Sequence, residues 1–239
     1  MDTSFDDEQY RRPFPPGIER HYWHAARNRI LWRKIRGLVP AGGLVVDIGC
    51  GPGIAVDALR ARGIDTIGVD TGTPPARPAS VAKHLHLGTS AFELDATLRE
   101  RTRLLLLLDV LEHLEDPHAF LARCAERFPN ASSVFVTVPA RMELWSNYDE
   151  YYGHQRRYTL ATLAELAGPY RLVESGHFFH ALYLAGLVAK AVGGGKRSLD
   201  VASPRALAAH RAVGWLFDRE EALLARRLPG SSLYGLFAK

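Results

Sequence analysis

The sequence predicts an α/β protein built on an open, mostly parallel sheet with helices on both faces. Three observations carry that prediction. Leu44-Val45-Val46 is a short apolar run of the kind that forms a buried parallel strand. The turn Gly49-Cys50-Gly51-Pro52-Gly53 follows at once and leads into Ile54 to Arg62, where Val56 and Leu59 sit at helical spacing. Gly63 ends that helix, and a second apolar strand, Thr66 to Val69, stops at Asp70. Strand, glycine turn, helix, strand and terminal acid make half of a nucleotide-binding unit.

Charge narrows the nucleotide. A dinucleotide turn wants a third glycine or alanine where this chain has Ile54, and a phosphate-cradling loop wants Gly-Lys-Ser/Thr, which is missing. Asp47 sits just before the turn, and no Lys or Arg lies between it and Leu59. A pyrophosphate would be repelled there and a cationic ligand attracted. Asp70 is placed to accept from both ribose hydroxyls. The stretch VVDIGCGPG, with VD after the second strand, resembles motif I of the class I S-adenosylmethionine-dependent methyltransferases. The resemblance implies a Rossmann-like, seven-stranded sheet, S-adenosylmethionine as cofactor and S-adenosylhomocysteine as product. It implies a cofactor site of Asp47, Gly49, Cys50, Gly51, Gly53, Asp70 and Thr71. The alternative is a tight turn with no ligand.

The totals agree with a globular chain. The 239 residues are 47% hydrophobic and 23% charged, enough for one full domain, or a domain with a cap. A net charge of +4, spread along the chain, is weak support for nucleic acid. Cys50 and Cys124 form no metal or disulfide pattern, which suits a reducing cytoplasm, and no metal ligand set is expected. The acidic start MDTSFDDEQY is unlike a signal peptide, and no run reaches the roughly 20 apolar residues that span a bilayer. These readings predict a cytoplasmic protein without a nucleic-acid partner, and the family resemblance implies a small-molecule one.

Taken in order, residues 1–43 read as a polar, Pro-rich extended arm followed by a helix from Ile18 to Leu38. Related methyltransferases fold such a helix over the cofactor, which makes Arg27 a candidate for the methionine carboxylate and Trp23 one for substrate. Val81 to Leu87 reads as a weak third strand. In GTSAFEL after it, Thr89 stands where relatives carry an acid for the adenine amino group, so that contact falls to Thr89 or Ser90. Leu104 to Leu108 is an unbroken leucine strand, and its continuation DVLEHLEDP resembles the family's fourth motif. There Asp109 and Val110 meet the cofactor, with Glu112 and His113 one turn further on. Asp116-Pro117 caps a helix to Phe128, and Ser133 to Val138 is the fifth strand. Tyr170 to Phe178 and Leu233 to Lys239 close the sheet, so that the core runs over 44–178 and returns at 232–239.

Two segments fall outside that core. Arg141 to Tyr158, in the lid segment 141–158, resembles the W-S…D…G-H-x-R-R-Y-T stretch of bacterial relatives. It supplies Trp145, Tyr148, Tyr152, His154, Arg156, Arg157 and Tyr158 as substrate-side candidates, alongside Glu112 and His113. Methyl transfer needs a base only if the acceptor loses a proton, and His154 and His113 are the candidates. Arg156 and Arg157 are neighbours and point to opposite faces of an extended segment, so at most one clamps an acidic acceptor. The other segment, 179–231, reads as an apolar helix Ala181 to Val192, a GGGKRS loop and a second helix opened by Ser203-Pro204. It is either a cap that buries its apolar faces on the sheet or a peripheral membrane contact through 178–197. An isoprenoid or lipid-like acceptor would suit the second. The alternatives to a small-molecule enzyme are a non-catalytic cofactor binder and a methyltransferase acting on nucleic acid or protein. Ile54 and Asp47 argue against a nicotinamide oxidoreductase.

Overall fold

A computed structural model describes residues 5–166, 168–193 and 196–239. The chain forms α1 (Asp7–Arg11), α2 (Tyr22–Ile35), β1 (Leu44–Ile48), α3 (Ile54–Arg60), β2 (Thr66–Asp70), β3 (Leu85–Leu87), α4 (Ala96–Arg101) and β4 (Thr102–Leu108). It continues with α5 (Pro117–Arg127), β5 (Ser133–Pro139), α6 (Asn147–Tyr151), α7 (Leu160–Ala164), β6 (Arg171–Phe178), α8 (His180–Gly193), α9 (Leu207–Leu223) and β7 (Ser232–Ala238). The seven strands run in the order β3-β2-β1-β4-β5-β7-β6, all parallel except β7, which is antiparallel to both β5 and β6.

The leucine run lies at the centre because both of its faces are covered. Leu105 and Leu107 pack with Leu121 and Cys124 of α5, whereas Leu104 and Leu106 pack with Ala26, Ile30 and Leu31 of α2 and Leu59 of α3. Those four leucines have no exposed surface. Strand order reverses between β1 and β4, and an open sheet of this kind leaves its ligand crevice at the carboxyl ends of the strands beside that switch. Asp47, Asp70 and Asp109 all fall there.

Several elements differ from the sequence reading. The third strand is only Leu85–Leu87, because Ala79–His84 winds into a 3-10 turn after Pro78. The predicted helix from Ile18 is broken at His21, whose extended backbone separates a 3-10 turn, Ile18–Arg20, from α2. The second insert helix starts at Leu207 rather than at Ser203-Pro204. It packs chiefly on α2, where Gly214 lets it approach the Tyr22 carbonyl, and touches the sheet at β6 through Phe217. Arg33 pairs there with Asp218 at 2.6 Å and also with Glu221, and Lys34 reaches Glu221 at 3.0 Å. Gly194 and Gly195 of the GGGKRS loop lie outside the described residues. The N-terminal arm is not simply extended. Asp6 caps α1, the Gln9 side chain returns the bond to the Asp6 backbone, and the helix folds back onto the crevice.

Candidate active site

A cleft of about 790 Å³ opens over the ends of β1, β2 and β4. Gly49 begins its floor with φ 74°, and a Cβ there would stand 2.7 Å from Val110 Cγ2, so only glycine fits. Gly53 has a different task. It starts α3 at φ 83°, and a Cβ there would strike the Leu85 side chain, which makes it a packing glycine rather than a wall of the cleft.

Three carboxylates border this end. Asp70 accepts from the Gly51 N–H at 2.8 Å, the Gly72 N–H at 2.9 Å and the Tyr10 hydroxyl at 2.6 Å. Asp109 stands in the left-handed region at φ 60°, an uncommon conformation for a residue with a side chain, and accepts from Arg27 Nη1 at 2.7 Å. Asp47 is buried, and its Oδ1 has no hydrogen-bond partner. Burial pushes its carboxyl up to about 7; Arg27 opposes this and Asp70 and Asp109 add to it. A buried, unpartnered carboxyl oxygen facing a cleft is a place for a cation.

The arm closes over this end. Phe5 packs edge-on against Tyr10, His113 and Tyr152, so one short segment joins the glycine-turn side to the lid segment. Burial and Asp70 raise the Tyr10 phenol above its usual range, so it stays a donor. Sequence reasoning missed both residues. The available signal was the Asp6-x-x-Gln9 capping pattern, which marks a helix in a segment otherwise read as coil.

The lid segment builds the opposite wall. Ser146 caps α6 and Asp149 completes the reciprocal cap by accepting from the Ser146 N–H at 2.9 Å. The same carboxylate takes Arg157 bidentately, Nε at 2.8 Å and Nη2 at 2.9 Å, and His154 Nδ1 at 2.8 Å. Burial would push the Asp149 carboxyl up, but the hydrogen bonds from His154 and Arg157 hold it well below the usual carboxylate range. An ionised carboxylate can only accept, so His154 carries a proton on Nδ1, and in the neutral imidazole Nε2 is the acceptor. Asp149 was not among the sequence candidates, although Ser146-x-x-Asp149 has capping-box spacing.

His113 lies 4.7 Å from His154, ring centroid to centroid, and burial followed by the neighbouring His154 lowers it to about 4, so it is neutral. Burial and Asp109 raise Glu112 well above the carboxylate range, and its Oε2 has no partner. Among the described residues Glu112, His113 and His154 bring ligand atoms within 4.8 Å of one another, the one group whose donor chemistry would suit a divalent ion.

The remaining candidates divide clearly. Trp23, Cys50, Thr71, Thr89, Val110, Trp145, Tyr148 and Tyr152 line the cleft. Tyr158 does not: it is buried, with its hydroxyl donating to the Leu111 carbonyl at 3.1 Å. Arg156 points outward and donates to the Glu115 carbonyl at 3.0 Å. Arg157 is spent on Asp149 and the Ala140 carbonyl. The two arginines do face opposite ways, yet neither offers an unpaired guanidinium to the cleft: Arg156 does not line it, and Arg157 is paired with Asp149. Leu182, Ala185, Gly186 and Ala189 of α8 form the far wall, and Leu184, Val188 and Val192 remain on its outer side, 61%, 63% and 85% exposed.

An open parallel sheet with an acid-lined glycine turn at its switch point defines a nucleotide-binding α/β protein for a ligand of positive charge. The chain belongs to the methyltransferase-domain family, whose model matches residues 20–191. It is 35% identical over 127 residues to the ubiquinone biosynthesis O-methyltransferase of Bradyrhizobium diazoefficiens, a match covering 49% of each chain. To the enzyme of that name from Stutzerimonas stutzeri it is 36% identical over 108 residues, 41% of this chain and 45% of the relative. The matched part thus spans about half the length of these relatives. The fold is that of the S-adenosylmethionine-dependent methyltransferases. A crystal structure of one from Archaeoglobus fulgidus superposes with a TM-score of 0.51 at 17% identity, covering 90% of this chain and 94% of the other. The 1,6-didemethyltoxoflavin-N1-methyltransferase of Burkholderia thailandensis, determined with S-adenosylhomocysteine, gives 0.53 at 16% identity, covering 90% and 77%.

Proposed function

We propose that the chain transfers a methyl group from S-adenosylmethionine to a hydroxyl of an aromatic small molecule, with His154 as general base. The observation that carries the proposal is the Asp149–His154 pair on the wall of the cleft bordered by Asp47, Asp70 and Asp109. Asp47 and Asp109 suit the cofactor's positive amino group and sulfonium, Arg27 its carboxylate, and Asp70 its ribose. When bound, the cofactor supplies a methyl group already activated for in-line displacement, and what remains for the protein is position, desolvation and one proton. His154 accepts that proton at Nε2, and Asp149 stabilises the imidazolium. Tyr148, Tyr152 and Trp145 give flat apolar walls to an aromatic acceptor. The relatives' name, an O-methyltransferase, is in keeping with a hydroxyl. The test is S-adenosylhomocysteine formation with phenols and catechols against the same rings with every hydroxyl capped as a methyl ether. Turnover confined to free hydroxyls supports the proposal, and equal turnover with capped rings contradicts it.

Asp47 makes cofactor binding pH-dependent. A cationic ligand favours the ionised form, so the carboxyl that titrates near 7 in the free protein must lose its proton on binding. Affinity is therefore full above that pH and falls as pH drops through it, by about tenfold between pH 8 and pH 6 for one proton. Calorimetry at pH 7 in two buffers of different ionisation enthalpy should register proton release. Zero proton exchange contradicts the role of Asp47.

Tyr10 sits where a ribose hydroxyl would meet Asp70, so it must yield Oδ1 on binding. Tyr10→Phe is expected to cost the free protein about 1.5–3 kcal/mol, the worth of a hydrogen bond to a charged group. The same change should tighten S-adenosylhomocysteine binding. Thermal unfolding and calorimetry on the one variant read both signs, and weaker binding with unchanged stability would contradict the competition.

The outer stripe of α8 favours a second reading, peripheral contact with lipid, because three large apolar side chains stand exposed at i, i+4 and i+8. No helix among the described residues is long and apolar enough to cross a membrane. Flotation with anionic vesicles, lost in Leu184→Asp/Val188→Asp, supports that contact. A protein that stays at the bottom of the gradient leaves α8 as a cap alone.

A further inference from the structure

The cleft carries opposite charge at its two ends. At the glycine turn stand Asp47, Asp70 and Asp109, with Arg27 beside Asp109; on the lid wall Arg157 is paired with Asp149, and Arg123 lies over the Phe92 ring. At the other end, between α8 and the lid segment, the walls carry Lys190, Lys196 and Arg197. Among the described residues no carboxylate lies within 4.0 Å of any of these three charges. Lys190 Nζ donates only to the Glu143 and Trp145 carbonyls, at 2.8 and 3.3 Å, which leaves its charge uncompensated.

Arg197 is exposed, but its backbone is held in place. The Asn147 side chain accepts from the Arg197 N–H at 2.8 Å and donates to its carbonyl at 3.0 Å, which fastens this segment to the first residue of α6. The next two residues of α6 that matter are Tyr148, over whose ring the Arg197 guanidinium lies at 5.1 Å, and Asp149, which orients His154. One short helix therefore fixes the base, an aromatic wall and an unpaired guanidinium relative to one another. A guanidinium held over an aromatic ring by cation–π attraction has N–H groups left to donate to an oxygen anion.

We propose that Arg197 and Lys196, supported by Lys190, form an anion-recognition subsite, so that the acceptor carries a carboxylate or phosphate on its aromatic ring. This rests on the reading of the cleft as a methyltransferase site. It assigns the recognition of an acidic acceptor, which Arg156 and Arg157 cannot perform, to residues of the insert. The subsite reads charge at the far end of the acceptor, while His154 meets the hydroxyl.

The test uses the full chain loaded with S-adenosylhomocysteine and calorimetry at low salt with phenol, 4-hydroxybenzoate and phenyl phosphate. The expected result is that at least one anion binds tenfold or more tightly than phenol. In Arg197→Ala/Lys196→Ala that preference should vanish while S-adenosylhomocysteine affinity persists. Whichever of carboxylate or phosphate binds better identifies the acidic group. A wild-type protein that binds S-adenosylhomocysteine but shows no anion preference overturns the subsite alone, and so does a double variant that keeps the preference. A wild-type protein that binds no S-adenosylhomocysteine overturns the underlying reading with it.

Discussion

Asp70→Asn is expected to weaken S-adenosylhomocysteine binding by about 100-fold. Asparagine keeps the shape and one accepting oxygen, so the bond from the Gly51 N–H, 2.8 Å in the native chain, can survive and hold the turn. The negative charge and one acceptor are what disappear. Hydrogen bonds to a charged group contribute about 1.5–3 kcal/mol each, and weakening two ribose contacts by about 1.4 kcal/mol apiece gives two factors of ten. Thermal unfolding separates this from loss of structure. A folded Asp70→Asn protein that binds within threefold of wild type contradicts the assignment of the ribose to β2's terminal acid.

His154→Asn should lower kcat by about 10²–10⁴-fold, the usual contribution of a general base, with little change in S-adenosylhomocysteine affinity. Its pH–rate profile should lose the limb that reports the imidazole. Asp149→Asn is expected to be worse for the fold than for the chemistry. Arg157, 8% exposed, would be left charged beside a neutral amide, and breaking a buried pair costs about 3–5 kcal/mol. The two variants thus separate a group that moves a proton from one that positions it. Undiminished kcat in His154→Asn, with the wild-type pH profile, would mean that the acceptor needs no base or finds one elsewhere.

What the sequence revealed and what it hid follow one physical division. The strands were readable because burial on both faces demands unbroken apolar runs, as in Leu104 to Leu108. The glycine turn was readable because positive φ at Gly49, Gly51 and Gly53 leaves few substitutes, and Asp70 because strand ends border the crevice. Pairings across long separations were not. Tyr10 meets Asp70 from 60 residues away, and only the folded path of the arm brings them together. Whether Arg156 or Arg157 turned inward depended on strand direction at Tyr158, whose backbone bridges Ala140. Asp149 was hidden differently: its capping-box role is local, but its partners His154 and Arg157 lie beyond the helix end. The cations of 196–197 gain an address only in the fold, where the Asn147 side chain fastens the Arg197 backbone to α6.

The most direct measurement is titration calorimetry of the wild-type protein with S-adenosylhomocysteine at pH 8, where Asp47 is ionised. The account predicts micromolar binding at one site per chain. A folded protein that gives no binding heat at several temperatures, and no thermal stabilisation by the ligand, would contradict it and reduce the acid-lined glycine turn to a turn.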